Sequence, residues 1–259
     1  MSEPKLKVGF YEFTGCAGDL LTIVHSEDQL LDVLGAAQVV SFRLASSRQN
    51  DGAVDIAFVE GSITTTEQEE KLRALRARST VLVALGTCAA FGGVQAMYTG
   101  SDSFAERFAS VYPKNFTIVK AKPSKPLASF VAVDYFIPGC PIDNRLFCFN
   151  YTRLLHRLPV QLPNFPVCME CKWRENECLL QKNIPCIGPI TRAGCQARCP
   201  TNNLPCVGCF GPIEDYNAAS WEASLLEKGY SAGVLEKKIR MFFGERSTDV
   251  LKQIKGGQR

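Results

Sequence analysis

Histidine is nearly absent. Only His25 and His156 occur among 259 residues, and neither has a partner at metal-ligand spacing, so a histidine-built centre is excluded. No run of about 18 apolar residues exists, which excludes a bilayer-spanning helix. Excess charge is scarce as well. The 29 Lys and Arg nearly balance the 26 Asp and Glu. With no basic stripe and no aromatic–basic alternation, a nucleic-acid partner is not expected. No GxGxxG run appears, so the dinucleotide fingerprint is missing. The segment MSEPKLKVGF has neither the apolar stretch nor the twin arginine of an export signal, and the expected compartment is the cytoplasm.

Cysteine, by contrast, is abundant. Eight of the 12 cysteines fall between Cys168 and Cys209 in the pattern C-x2-C-x6-C-x7-C-x8-C-x3-C-x6-C-x2-C, which amounts to two tetrads of thiolate ligands. A chain without an export signal keeps its thiols reduced and free for metal. The spacing points to iron–sulfur clusters. Zinc is the alternative, because the CxxC pairs at Cys168 and Cys171 and at Cys206 and Cys209 also resemble zinc knuckles. The apolar, proline-containing loops IPCIGP, RCPTN and LPCVGC favour iron, since they can shield a cluster from water.

The remaining cysteines, Cys16, Cys88, Cys140 and Cys148, are far apart and can meet only by folding. Around them, short runs rich in β-branched residues alternate with polar, helix-like segments: KVGFY at 7–11, VVSFRL at 39–44, VDIAFV at 54–59, VLVAL at 81–85 and VAVDYFI at 131–137. Near-continuous apolar strands imply a sheet covered on both faces. A helix with a Thr64/Glu67 capping box is expected to run to Arg78. Strand, helix, strand repeated gives a doubly wound parallel sheet.

Cys16, Cys88 and Cys140 each follow a predicted strand, so they share the carboxyl-terminal edge where such sheets bind ligands. Neighbouring glycines at 15, 86, 92, 93 and 139 allow backbone to approach a bulky inorganic core. Three thiolates leave a four-iron cube one ligand short. Asp19 stands three residues after Cys16 and can supply a carboxylate oxygen, or it can simply cap the following helix. Cys148 lies in an apolar-periodic stretch and reads as a buried structural thiol, with a fourth-ligand role as its alternative.

The prolines of RLPVQLPNFPVC mark a boundary. They separate a domain at 1–160 from a loop-rich, metal-stapled domain at 161–259. The tail from 211 onward has apolar residues at helical spacing, including Trp221, Leu225 and Leu226, and predicts two or three amphipathic helices. The basic KAKPSKPLA at 120–128 reads as a solvated loop.

The runs VGFYEFTGC, FVEGS at 58–62, GTCAAFGGVQ at 86–95, PGCP at 138–141 and CIGPITRAGCQARCP at 186–200 together resemble the small, electron-transfer subunit of NiFe hydrogenases. Within that family the likeness is to the cytosolic multimeric bidirectional enzymes, or sulfhydrogenases, linked to NAD or NADP. It covers about residues 6–215. A related cluster subunit of complex I shares PGCP but lacks the eight-cysteine segment.

The resemblance implies a flavodoxin-like domain holding a proximal cluster through Cys16, Cys88, Cys140 and Asp19, where most members have cysteine in place of the aspartate. It implies a distal cluster on Cys168, Cys171, Cys178 and Cys186, and a medial one on Cys195, Cys199, Cys206 and Cys209. With Cys199 present, all three clusters are expected to be 4Fe-4S. Glu60, at a strand end on the cluster edge, reads either as a carboxylate beside the cluster or on a proton path, or as a hydrogen-bond anchor.

The implied function is electron conduction. The NiFe centre would sit in a large subunit, while flavin and NAD(P) would sit in diaphorase partners that also carry iron–sulfur clusters. Two other readings are an electron-transfer subunit of a non-hydrogenase oxidoreductase related to complex I and a zinc-stapled interaction protein.

Overall fold

The structure is a computed structural model that describes residues 5–26, 29–47, 49–97, 104–112 and 121–256. Residues 1–4, Lys120 and residues 257–259, which belong to segments read above, lie outside the described residues. In chain order the first part runs β1 (Lys7–Glu12), α1 (Gly18–Val24), α2 (Leu30–Ala36), β2 (Gln38–Phe42), β3 (Val54–Glu60), β4 (Ile63–Thr65) and α3 (Thr66–Ala77). It continues with β5 (Ser79–Leu85), α4 (Gly86–Phe91), α5 (Phe104–Val111), β6 (Ala121–Lys125), β7 (Tyr135–Ile137) and α6 (Asn144–Leu155).

The five apolar runs form one parallel sheet in the order β2-β1-β3-β5-β7. Alternate side chains serve opposite faces. Val8, Phe10, Ile56 and Phe58 pack with α1, α2 and α6, whereas Ala57, Val59, Leu82 and Ala84 pack with α3. Aromatic rings dominate the first face. Phe10 and Phe42 lie 4.6 Å apart between ring centroids, and Phe58 meets Phe147 of α6 edge-on at 5.5 Å.

Three local expectations are corrected. The cap of α3 is Thr65, whose hydroxyl accepts the Gln68 N–H at 3.2 Å, while Gln68 Oε1 accepts the Thr64 N–H at 2.9 Å. The Thr64/Glu67 box is thus displaced by one residue, and Glu67 instead pairs with Lys71 on the surface. The strand expected over 131–137 shortens to β7. Asp134 takes its place in the ladder, with a carboxylate oxygen accepting the Leu82 N–H at 2.7 Å. The expected loop at 120–128 contains β6, antiparallel to β4. Pro123 is tolerated because the ribbon has only two strands, so each is an edge.

The second part contains α7 (Val167–Trp173), α8 (Arg198–Thr201), α9 (Ala218–Leu226), α10 (Ala232–Phe243) and α11 (Ser247–Gly256). The last three are the expected tail helices. Trp221 and Leu225 are buried in a third core together with Ile187, Ile190, Cys186 and Cys206, whereas Leu226 is partly exposed. Among the described residues, no helix is long and apolar enough to cross a membrane.

Candidate metal centres

Cys16 lies just past β1, Cys88 in α4 directly after β5, and Cys140 just past β7. The parallel register therefore brings all three to one edge. Thr87 fastens two of their loops, its N–H and hydroxyl both donating to the Gly139 carbonyl, at 2.8 and 2.7 Å. Asp19, in the first turn of α1, is buried, and its Oδ1 accepts the Ile142 N–H at 2.8 Å. Gly86 leaves room for this carboxylate. At φ +80, a Cβ there would sit 1.7 Å from Asp19 Oδ2. Gly93 does the same for Cys88, whose Sγ would be 2.7 Å from an added Cβ. Glu60 reaches the same edge from the end of β3. Its carboxylate accepts the Leu20 N–H at 2.8 Å, so it anchors the first turn of α1 after the loop that carries Cys16.

The second-part cysteines gather as the spacing suggests. Cys168 and Cys171 ride on α7, and the Cys168 thiol is raised by burial and by Cys186, Cys171 and Cys178 beside it. Cys209 feels Cys195 and Cys199 in the same way. Gly188 is another cradle. A Cβ on it would lie 3.4 Å from Cys168 Sγ and 3.5 Å from Cys186 Sγ. A main-chain amide links two of these cysteines: the Cys206 N–H donates to Cys186 Sγ at 3.2 Å.

Burial of the cysteines is uneven. Cys206 and Cys186 are buried, whereas Cys16, Cys140 and Cys178 are exposed.

Electrostatics show what these donors need. Burial, then Cys140, Asp19, Cys16 and Glu60, push the Cys88 thiol up to about 12. Cys140 is raised to about 11 by burial and then by Asp19, Cys16 and Glu60. Asp19 itself is raised to about 7 by burial and by Glu60, against the opposing Ile142 N–H. So many acidic groups in one place hold their protons until positive charge replaces them, which is the behaviour of a metal-binding donor set.

Residues 16–149 match the family described as the NADH ubiquinone oxidoreductase, 20 Kd subunit. Over 213 residues, 82% of this chain and 89% of its relative, the sequence is 39% identical to the sulfhydrogenase 2 subunit delta of Pyrococcus furiosus. The chain belongs to this family, as a hydrogenase subunit. It is also 30% identical over 176 residues to the NAD-reducing hydrogenase HoxS subunit delta of Cupriavidus necator, which covers 62% of this chain and 84% of that one. The actinobacterial-type NiFe-hydrogenase from Ralstonia eutropha H16 shares the fold, with a TM-score of 0.60 and 18% identity over 96% of this chain and 92% of that chain.

For this hydrogenase subunit, sequence reasoning missed three residues that handle the cysteines. Thr87 also donates to the Cys209 carbonyl at 2.5 Å and so joins the two parts of the chain. Gln95 approaches Cys88 Sγ at 3.8 Å with its amide nitrogen. Glu170 reaches from α7 to the Cys195 loop. Only Gln95 had a signal, as the last residue of GTCAAFGGVQ. Cys148 stays outside all three groups, but it is half-buried on α6 rather than fully buried, and its thiol donates to Gln29 Oε1 at 3.3 Å. Both histidines are exposed.

Proposed function

We propose that this chain conducts electrons between the NiFe site of a hydrogenase large subunit and an NAD(P)-linked diaphorase partner, through three 4Fe-4S clusters. The supporting observation is the placement of Cys16, Cys88 and Cys140 just past three parallel strand ends on one sheet edge, together with the Cys206 N–H donating to Cys186 Sγ at 3.2 Å in the cysteine-rich segment. Cys16, Asp19, Cys88 and Cys140 would hold the proximal cluster, Cys195, Cys199, Cys206 and Cys209 the medial, and Cys168, Cys171, Cys178 and Cys186 the distal.

When bound, such clusters supply reversible one-electron transfer, and the residues set spacing, potential and dryness. Asp19 contributes a harder oxygen donor and is held in place by Ile142. Glu60 keeps the Cys16 loop in register. Buried Cys206 and Cys186 keep water from their clusters, while exposed Cys16, Cys140 and Cys178 suit transfer across subunit contacts. The edge of Cys16 and Cys140 would face the large subunit, and that of Cys178 the diaphorase side.

The sulfhydrogenase relative supports the large-subunit partner, and the NAD-reducing relative supports the diaphorase. The same reading divides the chain at about residue 160 and keeps it in the cytoplasm. Iron and sulfide analysis of the anaerobic assembly tests it, with about twelve irons expected per copy from three four-iron cubes. A total near eight, or zinc in place of iron, would overturn it. Hydrogen-dependent reduction of NAD or NADP by the assembly should require Cys178.

A further inference from the structure

Glu170 sits between Cys168 and Cys171 on α7, yet its side chain turns away from that group and crosses to the loop carrying Cys195. Oε1 accepts the Gly194 N–H at 3.0 Å, and Oε2 accepts the Ala197 N–H at 3.2 Å. The loop is shaped for this. Gly194, Gln196 and Ala197 have φ of +126, +56 and +52, and the Gly194 and Ala197 amides converge on the carboxylate as in a nest of the kind that holds anions. Gln196 and Ala197 are not glycines, and a left-handed backbone at such residues persists only where the surroundings over-determine it. Glu170, 8% exposed, fills the nest. Its Oε2 lies 4.0 Å from Cys195 Sγ.

The first part of the chain repeats the device with unrelated residues. Ala17, directly after Cys16, has φ +59, and buried Glu60 from a neighbouring strand accepts the Leu20 N–H at 2.8 Å. In both cases a glutamate from another element accepts main-chain N–H hydrogen bonds close in sequence to the first cysteine of a group.

We propose that Glu170 is a positioning residue of the medial group, fixing the Cys195 loop and placing a carboxylate charge against its sulfur. This rests on the reading of Cys195, Cys199, Cys206 and Cys209 as ligands of a four-iron site. Two consequences follow. Main-chain amides orient the carboxylate without cancelling its charge, so it opposes the arrival of an electron and holds the medial potential down. Because the same side chain grows from the helix bearing Cys168 and Cys171, it also ties the medial loop to the distal one.

The test is a redox titration of the assembled enzyme, followed by electron paramagnetic resonance. The medial signal is identified as the one altered by Cys199→Ala. Glu170→Gln keeps the side-chain shape and removes the charge. It should retain full iron and raise the medial potential, while Glu175→Gln, an exposed charge just beyond α7, leaves that potential unmoved. Glu170→Ala should in addition speed hydrogen–deuterium exchange in the peptide spanning 194–201, a readout independent of electron transfer. An unmoved medial potential in a fully loaded Glu170→Gln enzyme would overturn the proposal. A wild-type assembly with no Cys199-dependent four-iron signal would instead sink the underlying ligand reading, and that would be seen before any change at Glu170.

Discussion

At the scale of single residues, the proximal site turns on a pairing of Asp19 with Gly86. The carboxylate is wedged between the loops of Cys88 and Cys140, one oxygen on the Ile142 amide and the other against the space where Gly86 has no side chain. Gly86→Ala would place a methyl 1.7 Å from that oxygen at φ +80, a strain on the order of 2–4 kcal/mol from left-handed backbone plus overpacking. The proximal signal should be lost, while medial and distal signals remain in the same sample. Asp19→Cys exchanges oxygen for thiolate, so the reduced proximal spectrum and potential should both change. Identical spectra at an identical potential would reduce Asp19 to a clamp for the Ile142 amide. The crowding of cysteines at 168–209 was legible because spacing within a loop survives without knowledge of the fold, and the common edge of Cys16, Cys88 and Cys140 because each follows a strand of the parallel sheet. Glu170 and Thr87 were not, since their partners lie 24 to 122 residues away and are main-chain atoms, which leave no mark in a sequence.

Among the elements, the parallel strands were readable from their β-branched runs, and the errors arose where side chains replace the ladder or the cap. Asp134 stands in for a strand neighbour at Leu82, and adjacent threonines and acceptors in TTTEQ make a cap shifted by one residue look equally good. The helical tail was legible as amphipathic, but its role was not. Trp221 of α9 donates its indole N–H to the Cys186 carbonyl at 2.9 Å, and α10 ends at Gly244, packed against the carbonyl of Phe91 at the end of α4. The tail therefore fastens the cysteine-rich segment to the sheet domain. Gly244 adopts φ +51, and a Cβ there would meet Phe91 O at 1.9 Å. Gly244→Ala should cost on the order of 3 kcal/mol, because neither backbone can yield cheaply. That corresponds to a fall of roughly 6–12 °C in the unfolding temperature of the loaded protein, measurable by calorimetry. A fall under one degree would mean that this junction carries no strain.

Across the whole molecule, the cores differ in what sustains them. The two cores flanking the sheet are built from Phe10, Phe58, Phe147, Leu72, Leu82 and their neighbours, and of the cysteines only half-buried Cys148 packs against them. The third core includes Cys186 and Cys206, and residues 174–197 supply turns, a three-residue 3-10 helix at Gly188–Ile190 and isolated bridges at Thr191 and Arg192. A segment so poor in regular structure depends on its metal staples, whereas a five-stranded parallel sheet covered on both faces does not. Iron removal should therefore act unevenly. After anaerobic chelation, limited proteolysis is expected to cut first within 161–217 and to leave an amino-terminal fragment ending at or beyond residue 161 that keeps its strand signal in circular dichroism. The α9–α11 helices should lose protection together with the cysteine loops, since Trp221, Leu225 and Phe243 pack on the same core. Simultaneous cleavage of sheet and loops would mean instead that the junctions at Thr87 and Gly244 couple the cores into one cooperative unit, with the clusters stabilising the entire chain.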